Sequence, residues 1–162
     1  MYTFTAYLIA AAVAAVSVSA AQDHFAIGMA SVPVPSGWHN VSVSPERTVW
    51  RSSDNTQQLT VSIMTFESEP SFEDFKILCS HRIDLENKGL SDGFVEPDGP
   101  HDVNGHYVMF FSGGDRATHR VFSGDFRLSK RQLLTLYLES IGKDPKEHMD
   151  LFKNLVTGMK VQ

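Results

Sequence analysis

The sequence has a single cysteine among its 162 residues, Cys79. One cysteine cannot form an intramolecular disulfide, so a scaffold held by disulfides is excluded. Cys79 has Phe75 four residues before it and Ile83 four residues after it, a spacing typical of the buried side of a helix. We therefore predict that Cys79 packs as a small apolar side chain; a reactive or dimerising thiol is the alternative.

Positive charge is also scarce. The chain has 14 Lys and Arg against 19 Asp and Glu, which gives a formal net charge of −5. Proteins that hold nucleic acid or an anionic membrane surface carry an excess of basic side chains. Neither a nucleic acid nor a membrane surface is therefore expected as a partner.

A long apolar run occurs only at the beginning, where residues 1–20 contain no Asp, Glu, Lys or Arg. The run at residues 6–16 is shorter than the roughly 20 apolar residues of a membrane span, but it has the length of an export-signal core. Val18-Ser19-Ala20 fits the cleavage rule, and a cut after Ala21 is the close alternative.

We predict a signal peptide over residues 1–20 and a single periplasmic or secreted domain over residues 21–162, with no stable membrane insertion after cleavage. The segment before the apolar run has no Lys or Arg, which leaves an uncleaved anchor as the main alternative.

The first half of this domain is predicted to be strands followed by a helix. The predicted strands are residues 25–30, 48–51 and 58–66, and residues 41–44 alternate between apolar and polar side chains. Ser71 is a suitable N-cap for the helix, and Gly89 is placed for a left-handed residue at its end.

The second half is predicted to have turns, three strands and a second helix. Residues 96–100 form a turn-rich region, and Asn104-Gly105 is a strong turn signal. The predicted strands are residues 107–111, 119–122 and 132–139, and Gly113-Gly114-Asp115 joins the first two. Asp144 and Pro145 begin the last helix. The order predicts an α+β fold: an antiparallel sheet packed by two main helices.

Three segments resemble the PsbP/DcrB-like superfamily of small α/β/α sandwiches. They are Val34-Pro35-Ser36-Gly37-Trp38; residues 59–63 with the helix that begins at Ser71-Phe72; and residues 135–140 with residues 152–156. The superfamily includes exported lipoproteins, photosystem accessory subunits and chaperones for secretion effectors. The resemblance implies a non-enzymatic domain that binds another protein. A periplasmic immunity or chaperone protein for a secreted toxin, and a carrier of a small apolar ligand, are the alternatives.

No motif indicates catalysis, a metal or a cofactor. His101, His106 and His119 are the histidines considered for a metal site, but their spacing fits no known closed site. Ser112-Gly113-Gly114-Asp115 and Ser123-Gly124-Asp125 lack the nucleophile turn of a hydrolase and read as ordinary turns. We expect no catalytic residue, no metal and no cofactor.

Five residues are candidates for partner binding. They are Trp38, Trp50, Arg51, Arg116 and Arg120. Trp and Arg are enriched at the residues that dominate binding energy in protein interfaces. The alternative is core packing for the tryptophans and solvent exposure for the arginines.

Overall fold

The computed structural model describes residues 23–161 as two α-helices and two β-sheets. The strands are β1 (His24–Ile27), β2 (Ala30–Pro33), β3 (His39–Val43), β4 (Arg47–Arg51), β5 (Gln57–Thr65), β6 (Gly93–Val103), β7 (His106–Asp115), β8 (Arg120–Ser129), β9 (Gln132–Ile141) and β10 (Lys160–Val161). The helices are α1 (Phe72–Lys88) and α2 (Pro145–Gly158). The predicted signal peptide, residues 1–20, lies outside the described residues.

Across residues 23–161, neither helix has the length and apolar character needed to cross a membrane.

The main sheet has seven antiparallel strands in the order β3-β4-β5-β9-β8-β7-β6. Near its centre, β5 and β9 pair over nine consecutive residues, from Gln57–Ser140 to Thr65–Gln132. Leu134, Leu136 and Leu138 of β9 are buried on one face, while Leu133 is buried on the other. A strand with apolar side chains on both faces must be covered on both sides.

α1 covers one face of the sheet at β6 and β7. Ser71 caps it as predicted, since Ser71 Oγ accepts from the Asp74 N–H and the Asp74 carboxylate accepts from the Ser71 N–H. Phe75 and Cys79 point into the core beneath α1, which confirms the buried thiol. The rest of this core consists of Met109, Phe111, Phe122, Phe126, Leu128 and Leu133.

α2 and a three-stranded sheet, in the order β1-β2-β10, cover the opposite face. Asp144 caps α2, with Oδ1 accepting from the N–H groups of Lys146 and Glu147 at 2.8 and 3.3 Å. Phe152 and Leu155 of α2 are buried against β5 and β9. The predicted α+β class, an antiparallel sheet with two helices packed on it, is confirmed.

Two predictions about turns in the first half were wrong. Residues 25–30 are not one strand, because Gly28 adopts a φ of +51° and reverses the chain between β1 and β2. Gly89 has a φ of −84°, so it does not adopt the left-handed conformation predicted for it. Its N–H bonds to the carbonyls of Leu85 and Glu86 and extends the helical pattern instead.

The second half contains five strands instead of three: four strands of the main sheet, β6 to β9, and the short β10. The predicted turn-rich region at residues 96–100 lies within β6, an edge strand that tolerates its prolines and has a bulge between Asp98 and His101. Gly113-Gly114-Asp115 belongs to β7 and Ser123-Gly124-Asp125 to β8, so neither is a turn. The predicted turn at Asn104-Gly105 is confirmed, with φ values of 55° and 80°.

Glycines within β7 and β8 make room for buried aromatic rings. Gly113 pairs with Phe122, and Gly124 pairs with Phe111, across the same two strands. A Cβ atom on Gly124 would overlap the ring of Phe111, and one on Gly113 would overlap the ring of Phe122. Both rings are completely buried, so they have no room to move. A packing requirement across strands therefore explains glycines that look like turn residues in the sequence.

We expect Gly124→Ala to lower the free energy of unfolding by about 1–3 kcal/mol, because its methyl group overpacks the core against Phe111. Urea denaturation followed by circular dichroism measures the change. Gly89→Ala is the matched control and should change stability by about 0.5 kcal/mol or less, since its nearest neighbouring atom is 3.4 Å away. Equal effects of the two substitutions would contradict the packing argument.

Candidate functional site: a groove at one end of the sheet

All five predicted binding residues lie at or beside the same end of the main sheet. This is the end where β4 finishes at Arg51 and β8 begins at Arg120; Trp38 directly precedes β3 there. Arg116 lies in the connection between β7 and β8. Two strands separate β4 from β8, so the backbones of Arg51 and Arg120 are about 14 Å apart across the sheet. The structure therefore places the five residues along one end without gathering them at one point.

The two tryptophans are partly buried against the core on the α2 side. The ring of Trp50 lies 5.8 Å from that of Phe25, measured between centroids. The Trp50 indole N–H is buried and has no hydrogen-bond partner among residues 23–161. Both tryptophans contribute packing area to the core, and their contact with a partner stays a prediction.

Arg120 belongs to a network of charged groups between α1 and the sheet. Its Nε donates to Glu139 Oε2 at 2.6 Å, and one terminal nitrogen donates to Tyr137 Oη at 2.6 Å and to Glu86 Oε2 at 3.3 Å. Arg82 forms a second ion pair with the buried carboxylate of Glu86. Burial raises the pKa of Tyr137, and the nearby Glu86 carboxylate adds to this effect. The network connects the last turns of α1 to β8 and β9.

A groove of about 760 Å³ opens between the first turns of α2 and the adjacent ends of β6, β7 and β8. α2 packs on β8 and β9, whereas β6 and β7 extend beyond it. Side chains of these outer strands on the α2 face are therefore left uncovered, and Phe94 of β6 is 53% exposed. The residues that line this groove include Phe94, Glu96, Arg116, Val121, His148 and Met149.

Asp115 holds the rim of the groove in place. It is buried, and its carboxylate accepts from the backbone N–H groups of Ser91, Asp92 and Ala117 at 3.1, 3.2 and 3.0 Å. The hydrogen bond from Ser91 is the main reason that the pKa of Asp115 lies below its usual value. One carboxylate thus fixes both the α1–β6 connection and the β7–β8 connection. In the sequence, Asp115 had looked like a simple turn residue.

His148 forms part of the groove wall and is 2% exposed. Its Nε2 lies 3.1 Å from Ser123 Oγ, and its Nδ1 lies 2.8 Å from Ser140 Oγ. Ser140 Oγ also accepts from Gln57 Nε2 at 3.1 Å. Burial lowers the pKa of His148 from 6.5 to about 4, so it is neutral at neutral pH.

The Ser123–His148 pair differs from a hydrolase triad in two respects. A carboxylate contacts the second ring nitrogen in a triad and stabilises the positive charge that forms on histidine. Here a hydroxyl group occupies that position, and Ser123 itself is completely buried. Sequence analysis missed His148, although its spacing to Phe152 and Leu155 places all three on the same side of α2.

The three histidines considered for a metal site do not converge. His101 contacts Asp98 at 2.9 Å, and His106 contacts Ser129 at 3.0 Å. His119 lies beyond the opposite end of β7 from His106. Within residues 23–161, no three His, Cys, Asp or Glu side chains are grouped so that they could hold a metal ion.

The arrangement of one antiparallel sheet between α1 and the α2 layer is a PsbP-like fold. The chain is similar to the solution structure of cyanobacterial PsbP (CyanoP) from Synechocystis sp. PCC 6803, with a TM-score of 0.66 and 18% sequence identity. The match covers 90% of this chain and 96% of that one, and at this identity it shows the fold alone.

A protein of Bacteroides thetaiotaomicron VPI-5482 matches with a TM-score of 0.48 and 7% identity, over 83% of this chain and 45% of that one. The chain matches no protein-family model and no curated protein.

Acidification should destabilise the protein through His148. The unfolded chain takes up a proton near pH 6.5, whereas folded His148 takes one up only near pH 4. Stability is therefore full above pH 6.5 and falls by about 3 kcal/mol as the pH drops to 4. Asp115 does not contribute to this loss. Because its pKa is lowered in the folded protein, its effect on stability is lost only as the pH falls below 3.8, the pKa of the unfolded group.

Urea denaturation at several pH values between 7 and 4.5 tests this loss of stability. His148→Gln should flatten the pH dependence, because glutamine can bond to both serines but does not titrate in this range. His81→Gln, at an exposed position on α1, should retain the original slope. An unchanged slope in His148→Gln would show that another group is responsible.

Arg120→Met should cost about 3 kcal/mol of stability, because it leaves Glu86 and Glu139 without their shared cation. Adding Glu139→Gln should recover part of that loss, because it removes a partly buried charge that has lost its partner. Arg116→Met should be nearly neutral, since Arg116 is exposed and forms no ion pair within the described chain. Thermal and urea unfolding of the three variants supply the comparison.

Proposed function

We propose that this protein is an exported, non-enzymatic domain that binds another protein through the groove beside α2. The observation that carries the proposal is the half-exposed Phe94 ring, which lies in a groove of about 760 Å³ with the unpaired Arg116 at its rim. Interfaces combine an apolar anchor with arginine side chains of this kind. The occupant is a segment of a partner protein that places an apolar side chain against Phe94 and Met149.

A non-enzymatic role is supported by the chemistry of the groove. His148, whose pKa is lowered by burial, lies between two serine hydroxyl groups and is almost completely buried in the groove wall. The carboxylate of Asp115 is occupied by three backbone N–H groups. Lys143 is paired with Asp54 at 2.9 Å. These titratable groups are used to hold the structure, which leaves the groove suited to binding.

Export is part of the proposal and rests on the apolar, uncharged segment at residues 1–20. A periplasmic immunity or chaperone protein that neutralises a secreted toxin is a narrower form of the same function. A toxin segment would then be the occupant of the groove. A toxin encoded beside this chain would favour that form.

A small apolar ligand is the second candidate, and the groove volume favours it because it falls within the usual range of ligand pockets. A closed pocket around Phe110 would have strengthened this alternative. Phe110 packs instead on Phe152, with 5.6 Å between the ring centroids. The groove is open along one side, and this geometry fits a protein segment better than an enclosed ligand.

Native mass spectrometry of the protein, purified gently from its exported fraction, tests the proposal. We expect a stoichiometric protein adduct. Phe94→Asp should reduce its abundance at least about tenfold, the effect of about 1.4 kcal/mol. Val103→Asp is the matched control, because Val103 lies at the other end of β6 and is 50% exposed.

Two results would contradict binding of a protein partner. A small bound mass that disappears in Phe94→Asp would identify a ligand carrier. A bare chain, with no partner recovered by crosslinking, would remove the basis for the protein-binding function.

A further inference from the structure

The two edges of the main sheet differ in how far they are protected against strand pairing. β6 contains Pro97 and Pro100, three acidic side chains and a bulge, and α1 packs along it. Prolines, charges, bulges and covering helices are the devices that keep an edge strand from pairing with another chain. β3 has neither proline nor charged Lys, Arg, Asp or Glu, although it has a bulge between Asn40 and Ser42.

β3 also presents apolar side chains to solvent. All five of its residues are exposed, with Val41 at 46% and Val43 at 72%. β-branched side chains pair favourably across neighbouring strands. A strand placed beside β3 would gain both backbone hydrogen bonds and apolar contacts with these valines.

Two unpaired arginines lie beside this edge. Arg47, Val49 and Arg51 alternate along β4, so their side chains are on the same face of the sheet. Between the two arginines, Val49 pairs with the small Ser42 of β3. Neither forms an ion pair within residues 23–161; Arg51 donates only its Nε, to Gln58 Oε1 at 3.0 Å. The side chains of Ser42, Gln58, Thr60 and Ser62 on this face carry no charge, and His39 of β3 pairs directly with Arg51.

We propose that β3 is a strand-addition site that accepts an extended, acidic segment of a partner protein. The free edge supplies backbone pairing, and Arg47 and Arg51 select carboxylates. Four residues separate the arginines along β4, a distance of about 13 Å. Carboxylates four residues apart on one face of an added strand match this spacing.

The charge distribution favours an acidic partner over a second copy of this chain. In a β3-to-β3 dimer, each copy would bring its own Arg47 and Arg51 to the seam, while β3 contributes no carboxylate. The arginines would then remain without carboxylate partners. An acidic strand would pair both arginines.

This site is separate from the groove. β3 and β6 are opposite edges of a seven-stranded sheet, about 29 Å apart. The inference therefore does not depend on what occupies the groove, and either site can be tested while the other fails.

The probe is a capped octapeptide of alternating Val and Glu, compared with an octapeptide of alternating Val and Lys. Titration into the ¹⁵N-labelled protein should shift the amide resonances of residues 39–43 with the Glu peptide. The Lys peptide should bind at least about tenfold more weakly. Hydrogen exchange at residues 39–43 should slow only when the Glu peptide is bound.

Two variants separate the pairing edge from the charge. Val43→Asn, which removes the β-branched apolar side chain without adding charge, should weaken binding of the Glu peptide at least about tenfold, while Val103→Asn on the other edge should leave it unchanged. The double substitution Arg47→Gln with Arg51→Gln should abolish the preference for Glu over Lys. Chemical denaturation of each variant checks that it remains folded.

Three outcomes would overturn the inference. One is equal binding of the Glu and Lys peptides. Another is the absence of shifts at residues 39–43 up to about 1 mM Glu peptide, a concentration that would reveal even weak binding. The last is a dimer of the protein alone that Val43→Asn dissociates, which would assign the edge to a second copy.

Discussion

Strand β9 has buried side chains on both of its faces, and this constraint determines how the other layers are placed. Leu134, Leu136 and Leu138 require a cover on one side, and Leu133 with Tyr137 requires a different cover on the other. One helix cannot supply both. The chain meets the requirement by placing α1 after β5 and α2 after β9, so that the two helices pack on opposite faces.

The two covers are offset from each other, and the surfaces available for binding arise from this offset. α1 lies over β6 and β7, while α2 and the small sheet lie over β8, β9 and their neighbours. The α2 face is therefore open beside Phe94, where the groove forms. The α1 face is open at β4 and β5, where Arg47 and Arg51 are exposed. Neither surface is formed by a cavity in the core.

Local signals in the sequence predicted much of the fold. The alternation around Leu59, Val61 and Ile63 identified β5, and Ser71 and Asp144 marked the starts of both helices. These signals depend on residues within a few positions of one another. β6 was missed because its prolines and glycines resemble a turn, and only its position at the edge of the sheet makes them acceptable.

The candidate site was harder to predict because its main contacts join distant parts of the chain. Arg116 was identified and does border the groove, but Phe94 was not, since its exposure depends on which strands α2 covers. Arg120 was treated as a surface residue, whereas its partners Glu86 and Glu139 come from α1 and β9. His148 depends in the same way on serines from β8 and β9. No local pattern contains these pairings.

Asp115 fixes the groove rim through main-chain groups of Ser91, Asp92 and Ala117, and it makes no demand on the identity of their side chains. Substitutions at these three positions can therefore accumulate while the rim keeps its shape. The side chains presented at the rim can therefore change faster than the fold that supports it. Chains of this fold that have the same aspartate would then share the shape of the rim and differ in the side chains along it.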